Sequence, residues 1–150
     1  MLKTLLVAIN AKFSHTNLAV RCLKKALDAA DIPAQFAEFT INQPADTILQ
    51  EIASFAPDRI LFSCYIWNIA LVRRCGADLR LLFPDVSILL GGPEVSFDSE
   101  NLLKKMPWAD GILCGEGEGM IAQVLAESRP RGVFHADTFV DMDMLAFPYD

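Results

Sequence analysis

The chain has 150 residues, of which 53% are hydrophobic and 21% charged, and its net charge at pH 7 is −6. This length fits one domain, and the composition predicts a packed core and excludes a disordered chain. The charge has the wrong sign for a nucleic-acid-binding surface, and the apolar runs are too short for a signal peptide or a membrane span, so we expect a cytoplasmic protein without nucleic-acid or membrane partners.

Short apolar segments alternate with amphipathic segments along the chain. The first of them, at residues 4–9, is a continuous apolar run, as is expected of a strand that is covered on both faces of a sheet. The other predicted strands span residues 34–40, 59–63, 87–90 and 111–114. After the first strand, Ala19, Cys22, Leu23, Ala26 and Leu27 recur at helical spacing, and a helical pattern follows every other strand as well.

Strands that alternate with helices predict an α/β fold with an open, doubly wound parallel sheet, because each crossover is right-handed. We expect a flavodoxin-like sheet of five strands in the order 2-1-3-4-5, with helices on both faces. In such sheets ligands bind outside the carboxyl ends of the strands, near the point where the strand order reverses. The loops that follow strands one, three, four and five are therefore the predicted site.

The regular pattern ends near residue 132. Residues 135–150 mix acidic residues with scattered apolar ones and show neither a helical nor an alternating period. We therefore expect the domain to occupy residues 1–134, and residues 135–150 to form a linker toward a C-terminal part that is missing here. Apolar side chains in this linker, such as Phe139 and Leu145, would give the fragment a weak tendency to self-associate.

Neither metal binding nor catalysis is expected of this chain alone. Its four cysteines share no metal-binding spacing and are expected to be buried free thiols, as is usual in a reducing cytosol. Neither His15 nor His135 has a partner at a metal-ligand spacing. No nucleophile, base and orienting group can be assembled from the sequence, so no catalytic residue is predicted.

The predicted loops combine glycines with polar and aromatic side chains, which suits a large, flat, amide-rich ligand. Glycines allow the ligand to lie against the backbone, the aromatic rings offer flat apolar surface, and the amides and hydroxyls offer hydrogen bonds. The candidate binding residues are Asn10, Ser63, Tyr65, Trp67, Asn68, Gly91, Gly92, Glu94, Gly115, Glu116, Gly117 and Glu118.

Each of these features also has a purely structural interpretation. The glycines are common turn residues, the acidic residues of the fifth loop favour the start of the last helix, and Asn17 fits the N-cap of the first helix. A dinucleotide site is poorly supported, because the glycine cluster at 115–119 follows strand five rather than strand one, and Glu116 and Glu118 would repel phosphate.

In these loops the sequence resembles the N-terminal cobalamin-binding domain of B12-dependent radical SAM proteins, a family often labelled as Mg-protoporphyrin IX monomethyl ester oxidative cyclase-like. The segments that carry the resemblance are NAKFSHTNLA (residues 10–19), SCYIWN (63–68), GGPE (91–94) and GEGE (115–118). They occur in the order of the family and cover nearly the whole chain. Residues 146–150 are similar to the junction before the radical SAM domain.

The resemblance implies that Ser63, Gly91 and Gly92 flank the buried nucleotide tail of cobalamin, with the loop at 115–118 along the same groove. It also implies cobalt without a histidine ligand from the protein. The methionine-synthase branch has D-x-H-x-x-G after strand one, whereas this chain has Asn10, Lys12 and Phe13 there, and His15 lies three residues too late.

The expected function is therefore that of a cobalamin-binding module of a radical SAM enzyme. The parent enzyme would also use a 4Fe-4S cluster and S-adenosylmethionine, but the C-x-x-x-C-x-x-C motif that holds the cluster is absent from this chain. The alternative is a domain that keeps the fold, has lost cobalamin, and presents substrate or docks a partner. A flavodoxin that binds FMN is a third possibility, which the acidic loops disfavour.

Overall fold

The computed structural model describes residues 2–12, 17–115 and 117–135, which form a six-stranded parallel sheet with helices on both faces. The strands are β1 (Thr4–Asn10), β2 (Ala34–Thr40), β3 (Arg59–Ser63), β4 (Ser87–Gly91), β5 (Gly111–Cys114) and β6 (Gly132–His135). The helices are α1 (Leu18–Ala29), α2 (Ala45–Ser54), α3 (Ile69–Leu82), α4 (Ser99–Lys105) and α5 (Ile121–Val124), and a 3₁₀ turn covers Gly117–Gly119.

The sheet order is β2-β1-β3-β4-β5-β6, which confirms the predicted doubly wound fold and the order of the first five strands. The strand count of five is wrong, because β6 adds to the free edge of β5, with Gly132 opposite Gly111 and His135 opposite Cys114. β6 thus reaches one residue beyond the predicted end of the domain at 134. Residues 136–150 lie outside the described residues, so the predicted linker stays a prediction.

Two separate cores lie on the two faces of the sheet. Alternate residues of β1 point to opposite faces, so Leu5 and Val7 pack with α2, α3 and α4, whereas Leu6 and Ala8 pack with α1 and α5. The central strands are buried on both faces, which explains why they are apolar without alternation. The face covered by α1 and α5 is the one that carries the candidate site.

The amino ends of the strands are held together by a charged network around Asp110. Its carboxylate accepts hydrogen bonds from Arg80 Nη2 at 2.8 Å and from the Ile88 backbone N–H at 2.9 Å, and Arg129 Nη2 lies 3.4 Å away. Arg80 also donates to the backbone carbonyls of Pro84 and Val86. One carboxylate therefore connects α3, β4, β5 and the segment before β6.

Arg59, at the start of β3, fastens α5 to the same end of the sheet. It is only 5% exposed, and it donates to Thr4 Oγ1 at 3.0 Å and to the Leu125 backbone carbonyl, just after α5, at 2.7 Å. Burial lowers the pKa of its guanidinium from the ordinary value, an effect that the neighbouring charge of Asp58 partly opposes. Within the part of the chain that the structure describes, no helix is long and apolar enough to cross a membrane.

Candidate functional site

A cavity of about 330 Å³ opens at the carboxyl ends of β3, β4 and β5, between the sheet and α1. Its volume lies at the lower end of the range for organic ligands, about 300–1,000 Å³. The residues that line it come from α1, from the ends of the three strands and from the loops after them. They are Ala19, Leu23, Leu61, Phe62, Ser63, Tyr65, Gly91, Gly92, Pro93, Ser96, Leu113, Gly115, Gly117 and Glu118.

Gly91 leaves the cavity floor without a side chain. Gly91 is the last residue of β4 and lies two positions after Leu89, whose side chain packs on the α1 face. Because residues two apart in a strand point to the same face, a side chain at position 91 would also point to the α1 face. A Cβ atom built there would have only the Leu113 carbonyl oxygen nearby, at 3.8 Å, and Gly91 is not among the glycines with positive φ. The floor is therefore open backbone that could also accommodate a side chain.

Gly92 lines the cavity and also has a conformational role. Its φ is +102°, and a Cβ atom would lie 2.5 Å from the Cys64 carbonyl oxygen and 2.9 Å from the Cys64 nitrogen. Gly92 therefore allows the loop after β4 to lie against the loop after β3. A larger residue at this position would strike the backbone of Cys64 with its Cβ atom before it could enter the groove.

The loop after β3 is held in place by Asn68, whose side chain is fully used for hydrogen bonds to the backbone. Asn68 Nδ2 donates to the carbonyls of Ile9 at 3.0 Å and of Ser63 at 2.9 Å, and its Oδ1 accepts from the Tyr65 N–H at 2.8 Å. Asn68 is 1% exposed and does not line the cavity. In this structure it is a positioning residue for the loop rather than a contact in the cavity wall.

Tyr65 and Trp67 form a flat aromatic pair at the cavity mouth. Their rings are stacked, with centroids 4.5 Å apart and planes 4° from parallel, and Trp67 Nε1 donates to the Ile9 carbonyl at 3.2 Å. Burial raises the pKa of the Tyr65 phenol, and the negative charge of Glu118 adds to this, whereas a hydrogen bond with Asn17 opposes it. Tyr65 is thus a neutral hydrogen-bonding group on the wall.

Ser96 connects the loops that follow β4 and β5. Its hydroxyl donates to the Gly92 carbonyl at 2.8 Å and accepts from the Gly115 N–H at 3.1 Å. The 3₁₀ turn then brings Gly117 close to α1, where a Cβ atom would lie 3.2 Å from Leu23 Cδ2. Glu118, on the same turn, lines the cavity and is its acidic group among the described residues.

Of the predicted site residues that the structure describes, most line this cavity and the others lie close to its loops. Trp67 and Glu94 are exposed and Asn10 is buried, and none of the three lines the cavity wall. Asn10 accepts a hydrogen bond from Asn17 Nδ2 at 3.5 Å, and Asn17 caps α1 by accepting from the Val20 N–H at 3.0 Å, as the sequence predicts. Glu116 and His15 lie outside the described residues.

The inner wall was not predicted from the sequence. It consists of Ala19 and Leu23 from α1 with Leu61 and Leu113 from β3 and β5. In the sequence these residues resemble ordinary core positions, since strands covered on both faces show no alternation. The only sign of this role in the sequence is that Leu61 and Leu113 each lie two positions before a predicted loop.

Cys64 lies behind the cavity wall as a buried thiol. Burial raises its pKa to about 12, and burial also raises the pKa of Cys75 to about 11. All four cysteines are free, and Cys22 is the one that is not fully buried. Within residues 2–12, 17–115 and 117–135, no group of three or more His, Cys, Asp and Glu side chains could hold a metal ion.

The raised pKa of Cys64 predicts a loss of stability in alkali. The unfolded thiol ionises near its ordinary pKa of about 8.5, whereas the folded thiol keeps its proton until about pH 12. The contribution of this thiol to the unfolding free energy is therefore fully present below the pKa of the unfolded state. It is lost as the pH rises toward the pKa of the folded state. Between about pH 8 and about pH 10, the wild type should lose about 2 kcal/mol more unfolding free energy than Cys64→Ala in urea titrations. Equal losses in the two proteins would show that this thiol ionises normally.

Comparisons with known proteins identify the family of the chain. The sequence model of the B12 binding domain family matches residues 4–125. The cobalamin-dependent radical SAM methyltransferase TokK of Streptomyces tokunonensis is 30% identical over 86 residues, which cover 57% of this chain and 12% of TokK.

Solved structures show the same fold at low sequence identity. The radical S-adenosylmethionine methyltransferase TsrM from Kitasatospora setae has a TM-score of 0.69 at 20% identity, over 86% of this chain and 26% of TsrM. The receiver domain of RcsB from Escherichia coli has a TM-score of 0.61 at 10% identity, over 89% of this chain and 98% of the receiver domain. Fold likeness alone therefore does not identify a ligand, whereas the family match does.

Proposed function

Because the chain belongs to the B12-binding domain family, we propose that it is the cobalamin-binding module of a larger radical SAM enzyme and has no catalytic machinery of its own. The chain spans about an eighth of the length of TokK, so the activity of the whole protein would reside elsewhere. When bound, cobalamin supplies the cobalt chemistry, and the module supplies binding and orientation.

The cavity beside Gly91 is the observation that carries this proposal. Its volume of about 330 Å³ suits the nucleotide tail but not a whole corrinoid. Bare backbone at Gly91 leaves room for a flat ring, and Ser63 at the end of β3 also lines the cavity. The residues present therefore fit the group: the tail would lie in the cavity, and the corrin ring would lie outside its mouth.

The exposed surface around the cavity mouth supports the placement of the corrin ring outside the cavity. Trp67 is 45% exposed, Ile66 78% and Phe97 84%, and all three lie in loops at the carboxyl ends of the strands. Exposed apolar groups grouped in this way are typical of a binding surface. We propose that Tyr65 and Trp67 lie beside the corrin ring, with Asn10, Glu94 and the loop at 115–118 around it. The residues from 136 onward would lead toward the radical SAM domain, which would hold the 4Fe-4S cluster and S-adenosylmethionine.

The test of the proposal is a titration with hydroxocobalamin, followed in the visible spectrum. Ala19→Leu places a larger side chain in the cavity wall and should weaken binding by about ten-fold or more, because it takes up space that the tail needs. Ala29→Leu makes the same change at the exposed end of α1 and should bind like the wild type. Absence of binding by the wild type would favour the alternative, a domain that keeps the fold without the cofactor.

We further propose that the cobalt receives no histidine from this chain. His135 ends the edge strand β6, and His15 lacks the position that the histidine-ligating branch uses. The visible spectrum of bound hydroxocobalamin should therefore be the same in the wild type, His15→Ala and His135→Ala. A spectral shift in either variant, at full occupancy, would show that the replaced histidine ligates cobalt.

The same proposal covers the environment and assembly of the protein. A parent enzyme with an iron–sulfur cluster and free thiols fits the cytoplasm, where thiols stay reduced. We propose weak self-association of the isolated fragment through the apolar residues at the mouth and in the segment from 136 onward, which the parent's next domain would otherwise cover.

A further inference from the structure

We infer that the cavity discriminates between corrinoids by their lower base, and that it selects a benzimidazole over an adenine. This inference rests on the proposed function and goes beyond it, because it concerns which corrinoid the module prefers. It is based on the chemistry of the cavity wall, which is aliphatic in the interior and more polar toward the mouth.

The inner wall is aliphatic. Ala19 and Leu23 approach from α1, and Leu61 and Leu113 approach from the sheet. The three leucines belong to the core cluster on this face of the sheet. A ring that enters between α1 and the sheet would therefore contact hydrocarbon on both of its faces.

The polar groups of the cavity are near its mouth, and several are already engaged. The Ser96 hydroxyl uses its proton on the Gly92 carbonyl and accepts from the Gly115 N–H. Tyr65 has a hydrogen bond with Asn17, and Glu118 lies on the turn after β5. Among the described residues, Ser63 and Glu118 are the polar side chains of the cavity wall that could still pair with a bound ring.

A benzimidazole and an adenine are both flat bicyclic rings, but they differ in polarity along their outer edge. The benzimidazole edge is hydrocarbon and matches the aliphatic wall. Adenine carries an amino group and ring nitrogens. Glu118 could accept from the amino group, but the Ser63 hydroxyl could donate to only one of the nitrogens. A polar group that is buried without a partner loses its hydrogen bonds to water, so adenine-tailed corrinoids should bind about ten-fold more weakly or worse.

The experiment compares three corrinoids on the folded chain: hydroxocobalamin, its adenine-tailed analogue, and cobinamide, which lacks the nucleotide tail. We expect hydroxocobalamin to bind most tightly, and the adenine analogue to bind about ten-fold or more weakly. Equal affinity for the two tailed corrinoids would overturn the inference and leave the proposed function intact. Cobinamide binding as tightly as hydroxocobalamin would overturn it too, because the tail would then not use the cavity.

A variant of the wall provides a second readout. Leu23→Gln places an amide beside the ring position on a helix that tolerates glutamine, so the preference for hydroxocobalamin should fall by several-fold. Ala26→Gln, one turn along α1 and outside the cavity wall, should leave the preference unchanged. An unchanged preference in Leu23→Gln would contradict the inference. Failure of all three corrinoids to bind the wild type would instead refute the proposed function.

Discussion

Replacing Gly91 with leucine should abolish cobalamin binding and leave the fold intact. The backbone of Gly91 can accept a side chain, since a Cβ atom there has only an ordinary contact with the Leu113 carbonyl oxygen. The rest of a leucine side chain would fill the floor of the cavity. We expect a loss of affinity of at least about 100-fold, which corresponds to about 2.7 kcal/mol, measured by titration with hydroxocobalamin.

Two controls separate this effect from unfolding. Gly91→Ala adds only the Cβ atom and should reduce affinity far less than leucine does. Circular dichroism and urea titration should place the stability of Gly91→Leu within about 1 kcal/mol of the wild type, because the side chain enters empty space. Wild-type affinity in a folded Gly91→Leu protein would mean that the nucleotide tail does not reach the floor of this cavity.

Replacing Asn68 with aspartate should destabilise the protein strongly, although the two side chains have nearly the same shape. The amide nitrogen of Asn68 donates to two carbonyls, those of Ile9 and Ser63. Aspartate would direct a negatively charged oxygen at both of them in a buried position. We expect a loss of about 3 kcal/mol or more of unfolding free energy in urea titrations, since two donors are lost and a charge is buried.

Asn101→Asp is the matched control, because Asn101 is exposed on α4 and its amide donates to the side chain of Asp98 rather than to buried carbonyls. This change should cost no more than about 0.5 kcal/mol, as is usual for exposed positions. If Asn68→Asp proved equally mild, the hydrogen bonds of Asn68 would not be what holds the loop after β3.

The fold could be predicted from the sequence wherever burial leaves a clear signal. The central strands are covered on both faces, so β1, β3 and β4 are continuous apolar runs whose predicted and observed limits differ by one residue at most. β6 has four residues, of which three are half-buried and one is exposed, at the edge of the sheet. A half-covered segment this short has too few apolar contacts to show a period, which is why it was missed.

The loops of the candidate site could be predicted, and most of the predicted residues line the cavity, but the roles of individual side chains could not be predicted. Topology brings the loops after β3, β4 and β5 to one edge, and this follows from the strand order alone. Whether Asn68 faces a ligand or the backbone depends on the turn that Ser63 and Tyr65 make, which the sequence does not encode in a recognisable pattern. The aliphatic inner wall could not be predicted for a different reason, since Leu61 and Leu113 belong to the buried core and only the structure shows that they also line a cavity.

The charged network around Asp110 and the anchoring of Arg59 lie at the amino ends of the strands, whereas the cavity lies at the carboxyl ends. A strand of five residues separates the two ends by about 15 Å, beyond the range over which substitutions usually interact. Changes of sequence in the loops after β3, β4 and β5 should therefore add to changes at Asp110 or Arg59 without amplifying them. Such a fold can therefore change its ligand-binding loops during evolution while the charged contacts at the amino ends of its strands stay the same.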